Sequence, residues 1–492
     1  MQHIKRIDKK RLAVHSIYDN NYLGIWKDNN MKKLFVIGDI HGDFYAFKQV
    51  LEMTECVTFD NINIKDIFKF NSDKSFLTLK DGCDFYKMNE NIKWNKKMRN
   101  VYIVFAGDLV DRCRNVGDNG CINTINDENC DLKILKLIFD LDKAAQQYNS
   151  RVLMVLGNHE ILNLDGDFRY VSFKGLYKNS NPLQKIDRVK EMNALVKQNI
   201  SNIYGIIQIN NHIIVHGGIN YLFFKNEILN DESLNKIQKF NLLLQKFIND
   251  GDDNGLFNNE QSPFWDRTLG LDNRTNETNC NEIFENNILN IEKGILPDLK
   301  IIVAHCPQFL NKNNFELESR GINLSDCNIY KDRIWRIDVG MSRAWDKYKT
   351  IKNSREIKTL LEKLDYALQD ESKFPDKLEF YSIHEKNSRK ASILLIDNNN
   401  EVKKEDKLVL DYFYNNIFKE NQLLIYTYLL QDLYLYLHSE YVNIFSKEDK
   451  LDCCTPQFDA SQNKKKVYIY LLKYINKLKK KYILRVQQLN II

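Results

Sequence analysis

A chain of 492 residues with 43% hydrophobic and 28% charged side chains can bury a large core, which excludes an intrinsically disordered or fibrous protein. A formal net charge of +5 over that length is a mild excess and does not point to nucleic acid. The most apolar window, 423–437, is short and contains Gln431 and Asp432, too little to span a bilayer, and the start Met1-Gln2-His3-Ile4-Lys5-Arg6 has no apolar leader. The expectation is therefore a cytoplasmic protein whose ten cysteines, with no CxxC pair among them, are reduced thiols.

Residues 1–33 read as an N-terminal arm. Leu34–Ile37 is then a short apolar strand leading into Gly38-Asp39-Ile40-His41-Gly42, and 43–53 reads as the helix that follows. Residues 54–100 are an insertion with a small β excursion near Phe76-Leu77-Thr78-Leu79. Val101–Phe105 leads into Gly107-Asp108-Leu109-Val110-Asp111-Arg112, and Leu132, Leu135, Leu137, Ile138 and Leu141 mark a helix over 131–148. Val152–Leu156 leads into Gly157-Asn158-His159-Glu160. Helices are expected over 184–199 and 234–248, and 250–300 is rich in loops. Ile213–Val215 leads into His216-Gly217-Gly218, and Ile301–Val303 leads into His305. A strand ending at Asp338 and a late strand at Ser392–Ile396, with Asn398-Asn399-Asn400 as its turn, close the region.

From about Lys403 the character becomes helical, with almost no glycine. Residues 464–489 place Val467, Leu471, Ile475, Leu478, Tyr482 and Leu489 on one face and lysines off it, an amphipathic basic helix. Its plain reading is a helix packed on the core with a solvated lysine face. A membrane-surface or partner contact is the lesser expectation. The organisation expected is an arm (1–33), a catalytic domain (34–402) and a helical C-terminal extension (403–492).

Apolar runs bounded by glycine suit strands buried on both faces, and in open α/β sheets the site lies beyond the strands' carboxyl ends. One sheet edge would then gather Asp39, His41, Asp108, Asn158, His216 and His305. Oxygen and imidazole donors of this kind suit a pair of divalent transition metals, and a carboxylate such as Asp108 can bridge two ions. The other histidines, His212 among them, have no motif around them and read as surface or core residues.

The ordered set GDIHG, GDLVDR, GNHE, HGG and a late histidine resembles the calcineurin-like metallophosphoesterases, within them the phosphoprotein phosphatase branch. Gly166-Asp167-Phe168-Arg169-Tyr170-Val171, Ser262-Pro263-Phe264-Trp265-Asp266-Arg267, Ala304-His305-Cys306-Pro307-Gln308 and Arg336-Ile337-Asp338-Val339-Gly340-Met341-Ser342 are most similar to the bacterial-type Shewanella-like protein phosphatases. The resemblance covers roughly residues 34–400. It implies a four-layer αββα sandwich of two mixed sheets, and a phosphomonoesterase acting on phosphorylated protein or peptide by in-line attack of a metal-bridging hydroxide. A dinucleoside polyphosphate or a nucleic-acid end is the alternative substrate, and a non-catalytic scaffold with a vestigial site the remaining rival. The implied ligands are Asp39, His41 and Asp108 for one ion and Asp108, Asn158, His216 and His305 for the other, the ions being Mn, Fe or Zn. His159 would be the general acid, oriented by Asp111, with Arg112 and Arg267 gripping the phosphate. Cys113 stands where the family has glycine. If that position needs a positive φ, the substitution costs about 1 kcal/mol or more.

Overall fold

The computed structural model describes residues 22–60, 68–70, 77–79, 86–114, 128–177, 183–228, 235–251, 255–271, 299–308, 321–324, 333–345, 354–370, 390–408 and 456–489, with isolated residues between them. The expected arm, most of 250–300 and the window 423–437 lie largely outside these residues. In chain order the principal strands are β1 (Ile25–Trp26), β2 (Lys33–Ile37), β3 (Val101–Phe105), β4 (Arg151–Val155), β5 (Ile203–Tyr204), β6 (Ile206–Ile209), β7 (His212–Val215), β8 (Lys300–Val303), β9 (Asn323–Leu324), β10 (Ile334–Arg336), β11 (Lys390–Asp397) and β12 (Val402–Leu408). The helices that frame them are α1 (Phe44–Met53), α2 (Asp131–Gln146), α3 (Asn158–Leu164), α4 (Arg188–Gln198), α5 (Lys236–Asp250), α6 (Ser354–Ala367) and α7 (Pro456–Gln488).

Two mixed six-stranded sheets result. The first runs β12-β11-β2-β3-β4-β5 and the second β1-β6-β7-β8-β10-β9. In the first, β2, β3, β4 and β5 are parallel, and β11 and β12 join antiparallel at one side. In the second, β7, β8 and β10 are parallel. Every residue of β3 is buried, as are Leu34–Ile37 of β2 and Ile301–Val303 of β8, so the unbroken apolar runs mark strands covered on both faces. Helices α1 and α2 lie on the first sheet and α5 on the second, and one continuous core joins both. This is the two-sheet α/β architecture expected. Among the described residues, no helix is long and apolar enough to cross a membrane.

Local chemistry explains the element boundaries. Asp43 caps α1, its carboxylate accepting from the Tyr45 and Ala46 amides, both at 3.0 Å. The β excursion in the insertion is a hairpin of Phe68–Phe70 with Leu77–Leu79, beside a second pair, Val57–Phe59 with Ile92–Trp94. The expected domain boundary at 402/403 needs correction, because β12 runs through it to Leu408 along the edge of the first sheet. Lys403, Lys404, Glu405, Asp406 and Lys407 are all exposed there, and a charged edge strand lacks the apolar alternation that announces a strand. Helix α7 buries Leu471, Ile475, Leu478 and Tyr482 as expected, with the Tyr482 hydroxyl donating to the Leu364 carbonyl of α6 at 2.7 Å. Val467 and Leu489, however, are exposed. Lys466, Lys473, Lys477, Lys480 and Lys481 face outward.

The cysteines also need correction. Cys83–Cys130 and Cys113–Cys121 are disulfides, while Cys56 and Cys306 are free and buried. The fold brings the paired Cα atoms to 5.8 and 5.6 Å, inside bridging range, across sequence separations of 47 and 8 that no spacing rule reveals.

His212, at the start of β7, is fully buried, and burial together with the neighbouring Lys300 pushes its pKa down to about 4 from an ordinary 6.5. The unfolded chain takes up a proton at this residue from about pH 6.5 downward while the folded chain resists until about pH 4, so its contribution to stability is full above 6.5 and is lost as pH falls. Between pH 7 and pH 5 it should remove on the order of 2 kcal/mol. Urea midpoints of wild type and His212→Phe at both pH values check this: the variant should lose less stability on acidification, and parallel losses would refute it.

Candidate metal centre

The chemistry-bearing residues all stand where strands end. Asp39 and His41 follow β2, Asp108 and Asp111 follow β3, and Asn158 and His159 open α3 just after β4. His216 follows β7 and His305 follows β8, so the second sheet faces the first across the site. His41 (φ 45°), Asp108 (φ 51°), Asp111 (φ 68°) and His305 (φ 63°) are all left-handed, a conformation costing non-glycine residues on the order of 1 kcal/mol or more and concentrated at functional sites. Cys113 is not among the left-handed residues; the turn is made two residues earlier at Asp111, so the expected strain is absent.

Main-chain bonds hold these loops. The amides of Ile40 and His41 both donate to the Asp108 carbonyl (3.0 and 2.9 Å), and the Gly42 amide to the Leu109 carbonyl (2.7 Å). Glu160, buried on α3, accepts from the amides of Asp108 (2.9 Å), Leu109 (2.8 Å), Val110 (3.1 Å) and Gly157 (2.7 Å), tying the second loop to the third. Burial and nearby Asp108 push its pKa up; the amides pull it back. The loops meet so closely that a Cβ on Gly107, itself at φ 96°, would lie 2.6 Å from the Gly157 nitrogen and 2.7 Å from His216 Nδ1.

All six residues expected as ligands converge. His216 Nε2 lies 3.0 Å from Asn158 Oδ1, 3.3 Å from Asp108 Oδ1 and 3.2 Å from His305 Nδ1. His41 Nε2 lies 3.7 Å from Asp39 Oδ2 and 3.8 Å from Asp108 Oδ2. The His305 amide donates to Asp39 Oδ1 at 3.4 Å, closing the ring. Donor atoms of His41, Asp108 and His159 form one mutually close group and those of Asp108, His216 and His305 another, with Asp108 common to both.

The proton inventory fits a bound cation. His216 Nδ1 donates to the Ala106 carbonyl (2.8 Å) and His41 Nδ1 to the Val110 carbonyl (3.2 Å), because a carbonyl can only accept. In the neutral rings each Nε2 is then a lone pair aimed at carboxylate and amide oxygens that are also acceptors. His305 Nε2 is buried and has no hydrogen-bond partner among the described residues. Lone pairs facing lone pairs repel unless a proton or a metal sits between them, and ring orientation by second-layer carbonyls is the usual arrangement for metal-binding histidines. A proton can take the cation's place: burial pushes His216 down, but the facing Asp108 outweighs it and holds the ring above the usual imidazole range. Burial pushes Asp108 up, but the facing His216 and His159 rings outweigh it and hold its carboxyl well below the usual range. Burial, with Asp338 and Asp108, holds the Asp39 carboxyl well above it. Burial and His216 hold His305 well below the usual imidazole range.

A second network backs His159. Its Nδ1 lies 2.7 Å from Asp111 Oδ2. Asp111 Oδ1 accepts from Asn163 Nδ2 (2.8 Å), and Asn163 Oδ1 from Arg188 Nε (2.5 Å). Arg188 pairs with Asp131 at 2.5 Å. His159 remains 9% exposed whereas Asp111 is fully buried, so the ring alone reaches the open side. Arg267 Nη1 donates to the His305 carbonyl at 3.3 Å. Arg112 is 2% exposed, with Nε 3.3 Å from Glu128 and Nη1 donating to Ser342 at 3.2 Å, while its buried Nη2 has no hydrogen-bond partner among the described residues. Sequence reasoning missed the part played by Glu160, though it quoted the residue inside GNHE, and missed Arg188 and Asn163, which carry no motif.

Two mixed sheets that direct His, Asp and Asn donors from both edges into one buried cluster define an α/β protein with grouped side chains that could hold metal ions. A model of the calcineurin-like phosphoesterase family matches residues 32–321, more than half of the chain, and the protein belongs to that family. Shewanella-like protein phosphatase 1 of Plasmodium berghei (strain Anka) is 31% identical over 232 residues, 46% of this chain and 49% of that protein, so the match spans about half of that relative's length. The uncharacterized protein R398 of Acanthamoeba polyphaga mimivirus is 26% identical over 252 residues, 46% of this chain and 95% of that protein. Among solved structures, the cold-active protein-tyrosine phosphatase of a psychrophile Shewanella species aligns at 17% identity and a TM-score of 0.43, over 78% of this chain and 82% of that one.

Proposed function

We propose that this protein is a metal-dependent phosphomonoesterase acting on phosphorylated protein or peptide. The observation that carries the reading is the meeting of acceptor-only atoms around His216 Nε2 and His41 Nε2, with Asp108 shared between the two groups. The name of the Plasmodium relative supports the substrate class. Asp39, His41 and Asp108 would hold one ion, and Asp108, Asn158, His216 and His305 the other; Mn, Fe or Zn suit this donor set. Bound there, the ions would supply an acidified water as nucleophile and positive charge against the phosphoryl oxygens. The protein's own part is proton delivery and grip. His159, fixed through Nδ1 by Asp111, holds Nε2 3.8 Å from Asp108 Oδ2, beside the first donor group, where it can protonate the departing oxygen. Arg267, anchored on the His305 carbonyl, and Arg112, whose Nη2 is left over by its contacts with Glu128 and Ser342, would grip the phosphoryl oxygens.

Elemental analysis of the purified protein, joined to a panel of phosphoserine, phosphothreonine and phosphotyrosine peptides and a dinucleoside polyphosphate, tests this. Two transition-metal ions per chain with turnover of phosphopeptides is the expected result. Turnover of the dinucleotide alone would move the substrate class, and metal-replete protein inert on the whole panel would overturn the reading.

A further inference from the structure

Arg114 lies three residues beyond Asp111, and its side chain is held on several sides. Its Nη1 donates to the carbonyls of Asp111 (2.9 Å) and Cys113 (2.7 Å). Its guanidinium carbon sits 4.8 Å from the centre of the Trp345 ring, and that ring meets His41 edge-on at 6.3 Å. The residue before it is pinned by the Cys113–Cys121 disulfide. The other edge is different: Nη2 is buried and has no hydrogen-bond partner among the described residues. A buried, charged N–H without an acceptor is expensive, and a fork of this kind is shaped for a phosphate or carboxylate oxygen. Its neighbour Arg112, engaged by Glu128 and Ser342 through Nε and Nη1, likewise keeps a buried Nη2 with no hydrogen-bond partner among the described residues, so a second fork stands beside the first.

We propose that Arg114 is a substrate-binding residue of this centre, its Nη2 edge taking a phosphoryl oxygen while Trp345 and the Asp111 carbonyl fix the plane of the guanidinium. The assignment rests on the reading of the site as a phosphoesterase. It also explains why the loop needs clamping: Nη1 is spent on the main chain so that Nη2 has one direction left. The charge is felt at the metal loops, since after burial Arg114 is the largest influence holding His41 below the usual imidazole range. The competing explanation is that Arg114 merely offsets the Asp39 and Asp108 carboxylates.

Metal-loaded wild type, Arg114→Met and Arg114→Lys separate the two. Each is assayed for metal content, for inorganic phosphate affinity by calorimetry, and for kcat and KM on p-nitrophenyl phosphate. Methionine should leave metal content unchanged while weakening phosphate affinity and raising KM by roughly ten- to a hundredfold, with lysine in between because it keeps the charge but not the fork. Unchanged phosphate affinity in the methionine variant overturns the proposal. So does loss of metal or of folding by methionine with full recovery of phosphate affinity by lysine, which would assign a purely electrostatic duty. If wild type binds phosphate but turns over no phosphomonoester, the functional reading fails, and the phosphate titrations still decide Arg114.

Discussion

Replacing Asp108 by alanine should empty both metal positions and abolish turnover together. Asp108 is the one side chain common to both donor groups: Oδ1 faces His216 at 3.3 Å and Oδ2 faces His41 at 3.8 Å. Loss of a bridging carboxylate removes a negative charge from two ions at once, and with them the nucleophile and the charge they supply. Activity should fall by about a thousandfold or more. Oδ1 also accepts the His159 amide at 3.0 Å, so alanine disturbs the start of α3 as well. Asp108→Asn keeps an acceptor for that amide while removing the charge, and it should lose metal too. Metal per chain after dialysis, measured beside turnover of p-nitrophenyl phosphate, is the check. Two ions retained in the asparagine variant would remove Asp108 as the bridge.

His159→Asn should keep both ions and lose turnover selectively. The ring nitrogen toward Asp111 is committed at 2.7 Å, which leaves Nε2 for a proton in transit. A general acid matters in proportion to the basicity of the leaving oxygen. Turnover of a phosphoserine peptide should therefore fall by roughly a hundredfold or more, and that of p-nitrophenyl phosphate by less than about tenfold. His159 Nε2 also lies 3.8 Å from Asp108 Oδ2, within the group formed with His41, so a ligand role is the competing possibility. Metal content decides between them: ions lost with His159, or equal losses on both substrates, would argue against the acid.

The metal loops were legible because each signal is local. A buried apolar run, a glycine and a donor occur within a few consecutive residues, but the single sheet edge expected to gather them is two, because Asp39 follows a strand of the first sheet and His305 a strand of the second. What stayed hidden needed partners distant in the chain. Nothing near Cys83 announces Cys130, and a charged run such as Lys403–Lys407 hides an edge strand because both of its faces meet water. The motif letters placed Glu160 beside His159, but the four amides it collects come from two loops. From its motif Arg112 reads as a phosphate grip, and its Nη2, without a partner among the described residues, is compatible with that. Its engagement by Glu128 and Ser342, sixteen and 230 positions away, turns on three-dimensional neighbours that spacing does not reveal.

The contact of Gly107 with Gly157 and the His216 ring has a bearing on redesign. Any side chain introduced at position 107 would press on the Gly157 main chain and on the His216 ring at once, so a redesign of the donor set has to leave this glycine in place.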